Sequence, residues 1–209
     1  MSAVATTTSH LPWMWLVSRG SGLVLLVLLT AVFVLGISTR LGSAPKAVQR
    51  FAVAELHRTL ALFAVSVLFL HVATAILDPY VSIGWWAMVL PFTSHYRPLA
   101  LGLGSLAVDL GAAVLITSLA RRHLGHRLWR GVHWLAYLSW PFAFMHSLRA
   151  GGDMGIWWVA ALVWGSASAV GIAVGARILA AVRGDGSSRV PDPIRPTACP
   201  IGAGRLGGG

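Results

Sequence analysis

The sequence predicts an all-α fold: a polytopic membrane helix bundle with five transmembrane helices and a short interfacial helix. Three observations predict it. Of 209 residues, 56% are apolar and only 11% are charged, whereas a soluble domain carries about a quarter charged residues. Mean hydropathy is +0.75. Five runs reach the roughly 20 apolar residues that a helix needs to cross a bilayer: 15–37, 51–77, 99–119, 128–148 and 156–182. So low a charge content also argues against a disordered chain. The single cysteine, Cys199, sits in a polar tail. That excludes an internal disulfide framework, a cysteine-rich zinc site, an iron–sulfur cluster held by this chain alone and covalent c-type haem attachment.

Each element follows in order. Residues 1–12 read as an external N-terminal segment. The first run carries Arg19 and Ser21 near its start, and no Lys or Arg precedes Arg19. The basic region of a signal peptide is therefore missing, and the run is expected to stay as a helix. After the second run, the apolar piece 81–90 is too short to span and is ended by Pro91. It is expected to be interfacial or re-entrant. The fourth run contains Pro141, which should kink it. The fifth carries Gly171-x3-Gly175 with Ser166 and Ser168, which reads as a helix-packing stripe. The membrane domain is thus expected over 13–183. Residues 184–209, rich in Gly, Pro, Ser and Arg, are expected to be a disordered cytoplasmic tail.

Charge sets the expected orientation. The net charge is +10, but the bases are segregated. Arg40, Lys46 and Arg50 follow the first run; Arg121, Arg122, Arg127 and Arg130 follow the third; Arg183, Arg189, Arg195 and Arg205 follow the fifth. Alternating spans put these three regions on one side. The other side has Arg97 and Arg149 beside Asp78 and Asp153, with the pairs Trp13/Trp15, Trp85/Trp86 and Trp157/Trp158. The positive-inside rule and the aromatic belt then place the N-terminus outside and the C-terminus in the cytoplasm. The basic charge is spent on topology, so nucleic acid is not expected as a partner.

Four of eight histidines fall inside predicted spans: His57 and His71 in the second, His133 and His146 in the fourth. Ionisable residues inside a membrane are costly and mark function. A lone histidine there is as readily a polar packing residue; four in two helices, matched by height, are harder to explain so. The two helices run parallel. His57 and His133 lie near the inner end, His71 and His146 near the outer end. At 1.5 Å per residue the two levels are roughly 20 Å apart. Two facing imidazoles at one height can supply both axial ligands of a haem iron, and two heights would hold two stacked b-type haems. The fourteen-residue spacing returns to within about 40° of the same helix face; the thirteen-residue spacing ends about 140° away. The kink at Pro141, local winding and the width of the porphyrin would have to absorb that difference.

With these residues the chain resembles the ferric reductase-like transmembrane domain family. That family is shared by ferric reductases, NADPH oxidases and the haem subunit of bacterial methionine-sulfoxide reductase. The resemblance rests on His57-x13-His71 and His133-x12-His146, and less on SRGSG (18–22), LDPY (77–80), PFTSHYRPL (91–99) and HWLAYLSWP (133–141). These strings are similar to its short actinobacterial members, over about residues 12–180. The resemblance implies a haem bundle moving electrons from the cytoplasmic to the outer face. The inner haem would take His57 and His133 as iron ligands, the outer haem His71 and His146. Larger relatives append flavin and NADPH domains. Here GAGRLG (202–207) matches G-x-G-x-x-G, but no strand precedes it and two residues follow, so it is not a dinucleotide site. No flavin or nicotinamide site is expected in this chain. Its electrons would come from a separate flavoprotein or a quinol and leave to ferric iron, oxygen or a periplasmic protein.

Other polar positions carry paired readings. Arg19, level with the outer haem, can bind a propionate or snorkel to the headgroups. Arg58 can serve the inner propionates or simply obey the positive-inside rule. Glu55 can pair with Arg58 or orient a histidine. Asp109, mid-span in the third run, can relay protons or make a structural hydrogen bond. His95, in an outer loop, can meet an external acceptor or be solvated. His123 and His126, among arginines, make a poor metal site. The competing reading of the whole is a non-redox membrane protein, a transporter or assembly partner, with the histidines as structural polar contacts.

Overall fold

The computed structural model describes residues 13–41, 47–78 and 83–187, with no side chains described for 40–50 or 184–187. The described residues form helices α1 (Trp13–Leu41), α2 (Ala47–Leu77), α3 (Pro98–Leu119), α4 (His126–His133), α5 (Ala136–Ala150) and α6 (Trp157–Ser187), plus a 3-10 turn at Trp85–Met88. No strand occurs among them. Residues 1–12 and the tail from 188 lie outside the described residues. Helix α6 runs through Ser187, a few residues into the segment expected to be disordered.

Four helices, α1, α2, α3 and α6, are long and apolar enough to cross a membrane. The expected fourth span, 128–148, is instead two helices of 8 and 15 residues. Trp134 and Leu135 keep helical dihedrals at the joint, but the bonds tighten to the 3-10 pattern. Leu135 N–H donates to Val132 O (2.9 Å), Tyr137 N–H to Trp134 O (3.0 Å) and Leu138 N–H to Leu135 O (3.0 Å). Two features of the sequence account for this. Half of α4 is basic or imidazole (His126, Arg127, Arg130, His133). Pro141, one turn beyond the joint, has no N–H for the Tyr137 carbonyl. The expected kink therefore appears upstream of the proline, as a tightened turn.

The expected interfacial helix over 81–90 reduces to the Trp85–Met88 turn, and 81–82 lie outside the described residues. Ser105 of α3 donates to Ala87 O and so ties the turn down. Phe92, at φ 66°, lays its ring where a Cβ on Gly102 would sit. Pro98 opens α3 at a position that needs no N–H. Arg97 precedes it in the left-handed region, at φ 43°, and donates from Nη1 to the carbonyls of Arg149 and Ala150 at the end of α5.

Helices α1, α5 and α6 share the core: Leu26, Trp140, Phe144, Val159, Val163 and Val170. Trp140 Nε1 donates to Thr30 Oγ1 at 3.1 Å, which satisfies both inside it. Helix α3 packs along α5, and α2 packs along α1; none of α3 to α6 packs along α2. Large apolar side chains stay outside: Phe69 is 77% exposed and Ile172 73%. Such a surface suits lipid, where helices satisfy their own backbones.

Contacts fix which helix ends lie together. Arg19 near the start of α1 pairs with Asp153 after α5. Arg97 before α3 reaches the end of α5, and His71 near the end of α2 reaches Ser18 of α1. We call this the Asp153 end, and the opposite one the His126 end.

Candidate functional site

Helix α2 lies antiparallel to α1 and brings two histidines against it. His71 Nδ1 donates to Ser18 O at 2.8 Å, with Ser21 Oγ at 3.4 Å from the same nitrogen. Lower down, His57 Nδ1 donates to Val32 O at 2.9 Å. On the other side of the bundle, His146 of α5 donates from Nδ1 to Ala100 O of α3 at 2.7 Å. In all three a backbone carbonyl, which only accepts, puts the proton on Nδ1. Nε2 then carries the lone pair. A histidine so held is what a metal-ligating imidazole requires, because the second-shell acceptor fixes tautomer and direction and raises basicity.

His71 and His146 face one another across the space between α2 and α5. Their ring centroids are 6.3 Å apart and the planes are 79° apart. The pair comes from opposite helices at the Asp153 end with each Nδ1 committed to a backbone carbonyl, a donor set that would suit a haem iron. Haem brings four nitrogens of its own and asks only two ligands of the protein. No group of three or more His, Cys, Asp or Glu that could hold a bare metal ion occurs among the described residues.

His57 and His133 are seated differently from each other. His57 is held from α1. His133, the last residue of α4, stacks on Trp129 one turn back, at 5.2 Å and 29°. Trp129 also meets His126 (5.6 Å), lies under the Arg121 guanidinium (5.9 Å) and donates from Nε1 to Ser118 Oγ of α3 (3.4 Å). Sequence reading passed over Trp129; its spacing of four from His133 on a helix was the available signal.

Arg19 neither snorkels freely nor stands alone. Its Nε donates to Asp153 Oδ2 at 2.6 Å, and its guanidinium lies over Trp15 at 4.6 Å. Glu55 and Arg58 are exposed on α2, as are His95, His123 and His126 in their own segments. Asp109 is half-buried on α3. Of the stripe expected to pack α6, Ser166 is buried, but a Cβ on Gly171 or Gly175 would meet nothing within 4 Å. The glycines in close contact are elsewhere. A Cβ on Gly22 would lie 3.0 Å from His71 Cε1, on Gly36 3.2 Å from His57 Cε1, and on Gly104 2.8 Å from His146 Nδ1.

Comparison of the chain with family models, with curated proteins and with solved structures found no match.

Proposed function

We propose that the chain is a membrane b-type cytochrome of the ferric reductase-like kind. It would carry electrons across the bilayer from a cytoplasmic-side donor, a flavoprotein or quinol, to an external acceptor. The observation that carries this reading is the His71–His146 pair, 6.3 Å apart with both Nδ1 atoms committed to backbone carbonyls. His71 and His146 would hold one b-type haem at the Asp153 end, and His57 and His133 a second at the His126 end. A haem bound at each level supplies one-electron redox chemistry. The protein's part is to orient the four imidazoles and surround them with apolar helices. Arg19, masked by Asp153, and Arg58 are the cations proposed for the propionates. By the positive-inside rule the Asp153 end faces outward and α6 ends in the cytoplasm.

One observation favours the second reading, a non-redox bundle. Each Nδ1–H···O=C bond joins two helices, as a polar packing contact in a membrane does. Colour separates the two. Protein purified from membranes in detergent is expected to give a dithionite-reduced b-type spectrum with about two haems per chain. A colourless protein, made in haem-replete cells and still folded by circular dichroism, overturns the redox reading.

A further inference from the structure

Three histidine–carbonyl bonds among the described residues each have a glycine beside them, at the same place. His71 donates to Ser18 O, and Gly22 is the glycine under its ring. His57 donates to Val32 O over Gly36, and His146 to Ala100 O over Gly104. In each case the glycine is four residues after the acceptor. Ser139 of α5 repeats the arrangement without an imidazole: it donates to Ala107 O at 3.0 Å, and a Cβ on Gly111 would meet its Oγ at 3.6 Å. Gly22 and Gly36 are fourteen residues apart on α1, like His57 and His71 on the antiparallel α2.

Helix geometry explains the offset. The carbonyl of residue i already accepts from the N–H of i+4, and its second lone pair is open only from the side. A side chain at i+4 tilts back toward the N-terminus and covers that side. Removing its Cβ opens a ledge on which a flat ring can lie and reach the oxygen.

We infer that Gly22, Gly36 and Gly104 are positioning residues for the histidines, setting how deep each ring sits and whether its Nδ1–H reaches a carbonyl. This rests on the proposed haem ligation, since a positioned imidazole matters most as a ligand. Alanine at these sites crowds the ring, which must give by a few tenths of an ångström at Gly22 and Gly36 and must shift at Gly104. It does so most at Gly104 (2.8 Å) and Gly22 (3.0 Å), and least at Gly36 (3.2 Å). Alanine is also the better helix former, so helix propensity alone would not unfold these variants.

The test compares G22A, G36A and G104A with G171A, whose new Cβ meets open space. Two readouts are used on the full-length protein in detergent. Imidazole 15N NMR of haem-depleted protein reads the tautomer. Haem-to-protein ratio and redox titration read the ligand. The wild type and G171A are expected to show the Nδ1–H form. G22A and G104A are expected to lose it at His71 and His146 respectively. Both should weaken retention of the same haem by about tenfold or more and raise its midpoint potential, because a less basic imidazole favours the ferric state less. G36A should act on the other haem and more weakly. If G22A and G104A match G171A in tautomer and potential, the inference fails while the cytochrome reading stands. If the wild type takes up no haem, that reading fails, and the tautomer data still decide the ledges. If both variants fail to fold while G171A folds, these glycines serve general packing and the positioning role is overturned.

Discussion

The two histidine levels are built in different ways. At the Asp153 end the two rings come from two helices that do not pack along each other, and each is pinned by a carbonyl of a third or fourth helix. At the His126 end, His57 has the same kind of seat, but His133 leans on Trp129 of its own short helix. The α3 positions that would mirror the ledges, around 114 and 118, offer Ser118, and its hydroxyl is engaged by Trp129. One level is thus fixed by backbone atoms that hardly move. The other includes a side-chain stack, His133 on Trp129, beside the 3-10 joint at Trp134–Leu135. A ligand site tolerates substitution according to what holds it, and these two should respond differently.

The largest test of that contrast is removal of the ligands. H71L and H146L are expected to lose the same haem and so form one class, and H57L and H133L a second. Each should roughly halve the haem-to-protein ratio, with helix content retained because membrane helices keep their own hydrogen bonds. Grouping of His57 with His146 in low-temperature spectra would break the two-level scheme. Next in size is W129A. Loss of one stacked ring pair is worth about 0.5–1.5 kcal/mol, so the haem at the His126 end should be held several-fold more weakly. W129F, which keeps a ring, should restore most of it, and neither variant should move the haem at the Asp153 end. A smaller effect is expected of S139A. It removes one inter-helix hydrogen bond, worth about 1 kcal/mol, and should lower the thermal midpoint without shifting either potential. That separates a ledge used for packing from one used for a ligand. Smallest are R19A and D153N. The pair is partly exposed, 23% and 33%, and such pairs contribute about 0–1 kcal/mol. A cation near a haem disfavours its oxidised, more positive form. R19A should therefore lower the potential at the Asp153 end slightly, and D153N, which unmasks Arg19, should raise it. Shifts of the same sign would show that Arg19 acts only through packing.

Much of this arrangement was legible in the chain itself. Apolar run length placed α1, α2, α3 and α6 to within a few residues. Helix rise alone put His71 level with His146, despite an angular mismatch of about 140° for the thirteen-residue spacing. The 3-10 joint lies between His133 and His146 and changes the winding there. What stayed hidden depended on lateral neighbours. Arg19 and Asp153 are 134 residues apart, and no local pattern couples them. The glycine stripe on α6 carried the stronger motif yet faces open space, while Gly22, Gly36 and Gly104 looked unremarkable until a ring was found lying on each. The break in the fourth span was partly visible as Pro141 and the polar start of α4, but run length outweighed them.

The packing of α2 along α1 has a consequence for the order in which the molecule is made. A chain synthesised from its N-terminus completes the α1–α2 hairpin first, with His57 and His71 already seated on Gly36 and Gly22. His133 and His146 do not yet exist. For the time needed to add the next seventy or so residues, a few seconds to about fifteen seconds at ordinary rates, the hairpin carries only two of the four histidines proposed as ligands. His71 waits for the ring of His146, which α5 has yet to bring beside it. Closure therefore waits on the latest-made helices, and any group destined for that space has a lateral doorway during biogenesis that the finished bundle narrows.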